Sequence, residues 1–573
     1  MTLTGNPLAQ VLRKNNRALG AVVLFSMIIN ILALTVPLHM MHVYDHALTS
    51  RSGQTLFFLG LLACGLLISL GALELFRSRI LVRLGTQFDQ SLRSQIFSAS
   101  IADRLQGRSD AAQAPRDLEI LRGFLSGSAL PIIFDAPWAP IFIAVTFLLH
   151  PWLGLVALGG AIVLIGIALL NEVATRKLNR SGSTSLLNAN SHFESSLRNA
   201  EALIAMGMTP GIIGRWMKWH DSAMKQFARV ADLSGDFTAA AKFWRPFLQI
   251  AMLSVAAWLA IEQIITPGVM IASSIIMGRA LAPVEGAIAT WRNLLSARGA
   301  YARLHGLLDR QTERAHALAL PPPNGNLTVT NLVAAPSWTM GKPVLRGLSF
   351  SLEAGESLGI VGPSAAGKST LARCLVGLLP ALSGEVRLDD SLLSQWNRDA
   401  LGASIGYLPQ DIELFDGSVA ENIARFTDAG TQSIIDAARL AGVHEAILHL
   451  PEGYDTRIGS GGEALSAGQR QRLGLARAFF GQPALIVLDE PNSNLDSDGE
   501  DELRASLQKL KAFGSTVIII AHRPNIISVT DKVMLLRDGA IEMFVNRAEV
   551  LGRITRPVPR SHVQAVPNEA VSL

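Results

Sequence analysis

Six apolar runs in the first half of the chain constrain its fold most strongly. Each is about 20 residues long, the length that an α-helix needs to cross roughly 30 Å of hydrocarbon. They lie at residues 19–42, 56–75, 131–149, 152–170, 247–265 and 269–289. An even number of spans returns the chain to the side on which it began. The sequence therefore predicts a bundle of six transmembrane helices within residues 1–305.

Positive charge is distributed unevenly over the connections between these runs. The links near residues 51, 150 and 266 are short and carry almost no positive charge, whereas the two long connections are rich in arginine and lysine. Because Lys and Arg accumulate on the cytoplasmic side of membrane proteins, we expect the long connections, both termini and the C-terminal half to be cytoplasmic. The net charge is +4. Because the basic residues lie beside apolar spans, the sequence favours membrane lipid as a partner and argues against nucleic acid.

The long basic connections have two interpretations. They either continue the spans as cytosolic helices that turn back near residues 116–123 and 195–206, or they are plain cytosolic loops. Ionisable residues also fall at membrane depth, namely Glu74, Asp135, Arg279 and Glu285. Such residues usually face a bundle interior or an aqueous path. Arg279 and Glu285 either line an internal cavity or lie in a part of the helix that protrudes into the cytosol.

A second domain is predicted after a proline-rich linker. The linker, residues 306–326, contains Pro321–Pro323, which breaks any helix. In the domain at 327–555, the letters GPSAAGKST follow a predicted buried strand and precede a predicted helix. That arrangement is the P-loop, whose backbone N–H groups and helix N-terminus bind phosphate. The predicted nucleotide-binding residues are Gly362, Pro363, Ser364, Ala365, Ala366, Gly367, Lys368, Ser369 and Thr370.

An acidic pair ends a later apolar strand. Asp489 and Glu490 follow residues 484–488 directly. We expect Asp489 and the hydroxyl of Ser369 to hold Mg²⁺, and Glu490 to polarise the attacking water as a general base. The expected cofactors are therefore ATP and Mg²⁺.

These motifs, with the stretch LSAGQRQR at Leu465–Arg472, resemble the ATP-binding-cassette (ABC) ATPases. The resemblance implies that Gln410 senses magnesium and water and that His522 contacts the γ-phosphate. It also implies a set of residues that act on ATP held by a second cassette, namely Ser466, Gly468, Gln469 and Asp496. The implied fold is a membrane α-helical bundle of six transmembrane helices fused to an α/β P-loop ABC nucleotide-binding domain, working as a homodimer.

Three positions depart from the usual ABC pattern. Ala467 replaces the first glycine of LSGGQ, and its methyl group is expected to be tolerated if φ is negative. Ser460 stands where exporters commonly carry a glutamate, and Glu463 is a candidate substitute. The third departure concerns the aromatic residue that usually stacks on adenine: at its place the chain has Val333–Ala335. Trp338, a little further on, either stacks on adenine through a shifted loop or packs on the surface.

Longer phrases narrow the resemblance further. FDAPWAP at 134–140, GRALAPVE at 278–285 and LDEPNSNLD at 488–496 are together similar to type I secretion ATPase/permeases of the alkaline-protease exporter group. The resemblance implies an inner-membrane ATP hydrolase that exports an unfolded protein with a C-terminal signal. Its implied partners are a periplasmic membrane-fusion protein and an outer-membrane channel. The alternative is a homodimeric ABC exporter of lipid, drug or small peptide. The proline-containing tail at 556–573 is expected to be disordered.

Overall fold

A computed structural model gives the fold of the chain and describes residues 7–105, 113–312, 320–336, 339, 341–521 and 528–546. The chain divides into two compact units. The first is Met1–Ser100 with Asp110–Arg310, and the second is Ile101–Ser109 with Gln311–Leu573. Trp338 and the predicted disordered tail lie outside the described residues.

The described part of the first unit is helical. Its helices are α1 Pro7–Lys14, α2 Asn16–Leu32, α3 Thr35–His42, a π-helix at Val43–Ala47, α4 Gly53–Leu105, α5 Ala114–Ser126, α6 Ala129–Asp135, α7 Trp138–Leu149, α8 Pro151–Leu197, α9 Ala200–Ala205, α10 Thr209–Ile261 and α11 Pro267–Thr312. In the described residues, five helical stretches are long and apolar enough to cross a membrane, and the pair α6 and α7 makes a sixth if it forms one bent span. The predicted membrane bundle is confirmed as a fold class.

The four longest helices extend well beyond any bilayer. Helices α4 and α10 each have 53 residues, and α8 and α11 have 47 and 46. At about 1.5 Å per residue, even the shortest is roughly twice as long as the hydrocarbon core is thick. Short helices lie where the sequence suggested turning points, since α5 contains residues 116–123 and α9 lies within 195–206. The helical interpretation of the long basic connections is therefore the one that the structure adopts.

The third predicted span is bent by 41° between α6 and α7. Pro137 lies at the break and lacks the N–H group that would continue the helix. Asp135 ends α6 and forms an ion pair of 3.1 Å with Arg77 of α4. The same carboxylate accepts a hydrogen bond from Asn30 of α2, and Ser26 accepts one from Arg77. A charge at membrane depth is thus paired and hydrogen-bonded inside the bundle, as its desolvation requires.

Removal of one partner from this polar cluster should destabilise the bundle strongly. The Arg77 side chain is only 11% exposed, so Asp135→Ala leaves a buried cation without its carboxylate. We expect the loss to be about 3–5 kcal/mol, measured as a lower thermal unfolding midpoint in nanodiscs. The double variant Arg77→Met/Asp135→Leu should be more stable than Asp135→Ala, because it removes both charges. Glu119→Ala, which breaks an exposed pair with Arg122, is the control and should change little.

The second unit is built on two sheets. Its strands are β1 Leu327–Ala334, β2 Leu345–Leu352, β3 Ser357–Val361, β4 Ser383–Leu388, β5 Ser391–Leu392, β6 Ile405–Leu408, β7 Leu485–Asp489, β8 Thr516–Ile520, β9 Lys532–Arg537 and β10 Ala540–Asn546. The smaller, antiparallel sheet has the order β2-β1-β4-β5, and the larger sheet has the order β10-β9-β3-β8-β7-β6. In the larger sheet only β10 runs antiparallel to its neighbour.

The helices of this unit pack on the larger sheet or on one another. They are α12 Lys368–Leu375, α13 Arg398–Ala403, α14 Val419–Ile423, α15 Thr431–Leu440, α16 His444–Leu448, α17 Ala467–Phe479 and α18 Ser497–Ala512. Strands β7 and β8 are buried along their whole length, as expected for parallel strands with both faces covered. The register pairs Ile360 with Ile520, Ile520 with Asp489, and Leu488 with Leu408. Strands β3, β8, β7 and β6 therefore end at one edge of the sheet, where ligands of such sheets bind.

Candidate functional site

The loop between β3 and α12 requires glycine at two places. A Cβ on Gly362 would overlap the carbonyl oxygen of Leu536. Gly367 has φ of 100° in the left-handed region, and a Cβ there would lie 2.8 Å from Leu345 Cδ2. Between them Ala365 also has a positive φ, 65°, which non-glycine residues rarely adopt. The tight turn aims the N-terminus of α12 and its free N–H groups into the loop, the arrangement that binds phosphate.

The loop is exposed where it would meet a ligand and buried where it meets the sheet. Pro363, Ser364 and Ala365 are exposed, whereas Ala366 and Thr370 are buried. The buried residues Ala366 and Thr370 anchor the second half of the loop. Its tip is left accessible.

Lys368 opens α12 with its side chain almost completely buried, at 6% exposure. Its Nζ donates to the carbonyl oxygens of Gly362 and Pro363 at 2.8 and 2.9 Å. Burial lowers the pKa of Lys368, and the carboxylates of Glu490 and Asp489 oppose that effect. The ammonium group is therefore held at the loop, where it can meet an anionic phosphate together with the N–H groups of α12.

Asp489 is the last residue of β7 and is 2% exposed. Burial raises its pKa, a hydrogen bond from the Ser369 hydroxyl lowers it, and the neighbouring charge of Glu490 raises it again. Its Oδ1 atom is buried without a hydrogen-bond partner among the described residues. A buried carboxylate oxygen with free lone pairs beside a hydroxyl is a set of hard oxygen donors that fits Mg²⁺.

The number of protein ligands available here is also typical of magnesium sites. No group of three or more His, Cys, Asp or Glu residues that could hold a metal occurs in the described part of the chain. Mg²⁺ commonly takes one or two protein carboxylates and completes its shell with waters and substrate phosphates. The residues present therefore fit a magnesium ion that shares its shell with a nucleotide.

Glu490 is half-buried and lies directly after β7. Its backbone has a positive φ of 52°, and its N–H donates to the carbonyl oxygen of Ile520 at the end of β8. This unusual conformation turns the chain sharply out of the sheet at the edge where the P-loop also emerges. A carboxylate placed there can act on a water beside a phosphate.

Two further predicted residues follow the neighbouring strands. Gln410 is exposed and comes two residues after β6. His522 lies outside the described residues, but β8, which precedes it, ends at Ile520 beside Asp489. The sheet register thus brings the chain at Gln410 to the same edge as the P-loop and the acidic pair.

The signature stretch forms the start of α17. Ser466 caps the helix, accepting from the N–H of Gln469 at 3.2 Å, and the Gln469 side chain accepts from the N–H of Ser466 at 2.9 Å. This reciprocal pair is a capping box. Ala467 is the first helical residue and does not have a positive φ, so its methyl group causes no backbone strain. Ser466 and Ala467 are exposed.

Asp496 has a structural role within its own unit. It caps α18, and its Oδ1 accepts from the N–H of Gly499 at 3.0 Å and from Arg472 of α17 at 3.1 Å. The hydrogen bond from Gly499 is the main cause of a lowered pKa for Asp496. Gly468 lies close by, since a Cβ on it would come 3.1 Å from the carbonyl oxygen of Asn494. The signature helix and the segment after the acidic pair are therefore in direct contact.

Sequence reasoning missed two residues that hold α17 in place. Gln471 is 1% exposed and donates to the carbonyl oxygens of Glu490 and Pro491. Arg425 donates to the last carbonyl groups of α17, those of Arg477 and Ala478, and burial lowers the pKa of Arg425 to about 10.

A sequence signal was available for only one of them. Gln471 lies on the face that also carries the buried residues Gly474, Leu475 and Ala478. A polar residue at helical spacing on an apolar face must find a partner. Arg425 follows α14 in an irregular segment, and no periodicity marks it.

Comparison with known proteins agrees with this site. Residues 345–493 match the family model for ABC transporters, and residues 19–283 match the ABC transporter transmembrane region. A solved structure of a bacterial Atm1-family ABC exporter with ATP bound shares the fold, with a TM-score of 0.80 at 22% identity over 94% of this chain and 96% of that one. The fold and the site define an ATP-hydrolysing ABC transporter with a multi-pass membrane domain.

The similarity to individual relatives is more specific. The chain is 42% identical over 552 residues to the type I secretion system ATP-binding protein PrsD of Rhizobium meliloti (strain 1021), covering 96% of this chain and 95% of that protein. It is 30% identical over 528 residues to a toxin RTX-I translocation ATP-binding protein of Actinobacillus pleuropneumoniae, covering 90% and 74% of the two. The chain belongs to the family of type I secretion system ATP-binding proteins.

The buried carboxylate of Asp489 should destabilise the nucleotide-free protein at neutral pH. Its pKa is raised on folding, so its contribution to stability is fully present below the ordinary aspartate pKa and is lost as the pH rises through the folded value. We therefore expect Asp489→Asn to raise the thermal unfolding midpoint at pH 7.5 without nucleotide. The gain should disappear at about pH 4, near the unperturbed value. A midpoint that falls equally at both pH values would contradict this account.

Proposed function

We propose that this chain is the ATP-driven inner-membrane exporter of a type I secretion system. It moves an unfolded protein with a C-terminal signal out of the cytoplasm, through a periplasmic membrane-fusion protein and an outer-membrane channel. The observation that carries the proposal is the match along almost the whole chain, 96% of it, to a type I secretion ATP-binding protein. The similarity to translocation proteins for bacterial toxins supports a polypeptide as the cargo.

The proposed working unit is a homodimer. Each chain carries one P-loop and one signature helix, and Ser466 with Ala467 is exposed at the start of that helix. In the proposal Ser466, Gly468 and Gln469 meet the γ-phosphate of ATP on the P-loop of a second copy, with Asp496 alongside. Two-fold symmetry then gives two identical composite sites, both competent for hydrolysis.

The proposed chemistry uses residues at the common sheet edge. Lys368 and the N–H groups of α12 stabilise negative charge on the phosphates, and Glu490 accepts a proton from the attacking water. Ser369, Gln410 and Asp489 would hold magnesium, which supplies charge neutralisation between the phosphates. His522 is proposed to contact the γ-phosphate. Because the site closes only in the dimer, ATP binding and hydrolysis can drive alternating states of the attached helices.

The proposed topology follows the distribution of basic residues. Short, weakly charged links would face the periplasm, and the long helical extensions with α5, α9 and the ATPase unit would lie in the cytoplasm. Helices α5 and α9 stand at the turns of these extensions and are proposed to transmit movement from the ATPase unit.

The base assignment predicts a specific kinetic defect. Glu490→Gln preserves the size of the side chain and removes its basicity, so ATP binding should persist while kcat falls by about 10³-fold or more. The measurement is steady-state ATPase activity with nucleotide binding in nanodiscs. Asp501→Asn, which alters an exposed carboxylate paired with Arg504, is the matched control and should remain active. Wild-type turnover in Glu490→Gln would refute the assignment.

Export itself is tested in the native bacterium. Deletion of the gene should remove at least one protein from the culture supernatant, and the wild-type gene, but not its Glu490→Gln form, should restore it. The supernatant proteome and the lipid and drug efflux of both strains are compared. An unchanged supernatant with reduced lipid or drug export would favour the alternative transporter class.

A further inference from the structure

Gln471 is a buried amide whose hydrogen-bonding groups are all engaged. Its Nε2 donates to the carbonyl oxygen of Pro491 at 2.8 Å and to that of Glu490 at 3.3 Å. Its Oε1 accepts from Asn494 Nδ2 at 3.3 Å and from Ser493 Oγ at 3.5 Å. A side chain in the middle of the signature helix therefore binds the successive carbonyl groups of Glu490 and Pro491 and the side chains of the segment that follows.

The backbone at Glu490 needs such support. Its φ of 52° lies in the left-handed region, which costs a non-glycine residue on the order of 1–2 kcal/mol by steric contact alone. The Glu490 N–H donates a hydrogen bond to the carbonyl oxygen of Ile520. The carbonyl oxygen of Glu490 accepts one from Gln471. Loss of the second contact would remove one restraint on the backbone from which the Glu490 side chain extends.

Neighbouring contacts connect the same two segments. Gly468 packs against the carbonyl oxygen of Asn494, and Arg472 pairs with Asp496 at 3.1 Å. One turn of α17 is thus joined to the chain just after the acidic pair.

We propose that Gln471 is a positioning residue that sets the orientation of Glu490 and ties it to the signature helix of the same cassette. In the proposed homodimer, on which this step rests, the link connects the two composite sites. The signature helix of one chain engages ATP at one composite site, and through Gln471 that engagement orients the general base of the other. In this role Gln471 acts through the backbone of Glu490 and Pro491, to which it donates.

The test separates positioning from simple stability. Gln471→Met keeps the length and volume of the side chain and removes its hydrogen bonds, so kcat for ATP should fall about tenfold. The dissociation constant of ATP, measured separately in the same nanodisc sample, should stay within about twofold, because the P-loop is untouched. Gln471→Glu keeps the acceptor for Asn494 but, when ionised, places a carboxylate oxygen against the two carbonyl oxygens, so kcat should fall by at least as much.

A second buried amide supplies the matched control. Asn422 is fully buried and donates to the carbonyl oxygens of Phe415 and Ser418, away from the acidic pair. Asn422→Leu should lower the unfolding midpoint as much as Gln471→Met does and leave kcat within about twofold of wild type at temperatures where it is folded.

Three results would overturn the proposal. They are an unchanged kcat in the folded Gln471 variants, an equal fall of kcat in Asn422→Leu, and failure of both Gln471 variants to fold, which would assign Gln471 to stability alone. Failure of the proposed function looks different. In that case wild-type protein hydrolyses ATP and responds to the Gln471 variants as expected, while gene deletion leaves the secreted proteins unchanged.

Discussion

The parallel register of the larger sheet is the constraint on which the ATP site depends. Ile360, Ile520 and Asp489 lie side by side, and Leu408 pairs with Leu488. Because parallel strands end at the same edge, the ends of four strands that are far apart in the chain lie together there. A slip of one residue in β7 would turn the buried Asp489 to the opposite face of the sheet and remove it from Ser369.

The site keeps several groups in states that are unfavourable without a ligand. Lys368 is buried on the carbonyl groups of its own loop, Asp489 has a buried oxygen without a partner in the described residues, and Glu490 has a positive φ. Strain of this kind persists where the surrounding structure holds it. The buried strands β7 and β8 and the fully satisfied Gln471 provide that support. In the membrane unit the buried charges of Arg77 and Asp135 are paired instead.

The signature helix shows how one element can be fixed at its start, middle and end. Ser466 and Gln469 satisfy the first N–H groups, Gln471 binds the chain at Glu490, and Arg425 binds the last carbonyl groups. Ala467 fits because the cap precedes it and its own backbone is helical. The helix therefore links the exposed Ser466 to the strand end that carries Asp489 and Glu490.

The sequence by itself determined the apolar spans, the P-loop, the acidic pair and the signature, because each depends on local periodicity or on residues adjacent in the chain. Only the tertiary structure decided the 41° bend between α6 and α7 and the partners of the buried polar groups. Arg77 meets Asp135 across 58 residues, and Gln471 meets Pro491 across 20. Such partners are chosen by the packing of helices and strands against each other, and no repeat along the chain encodes them.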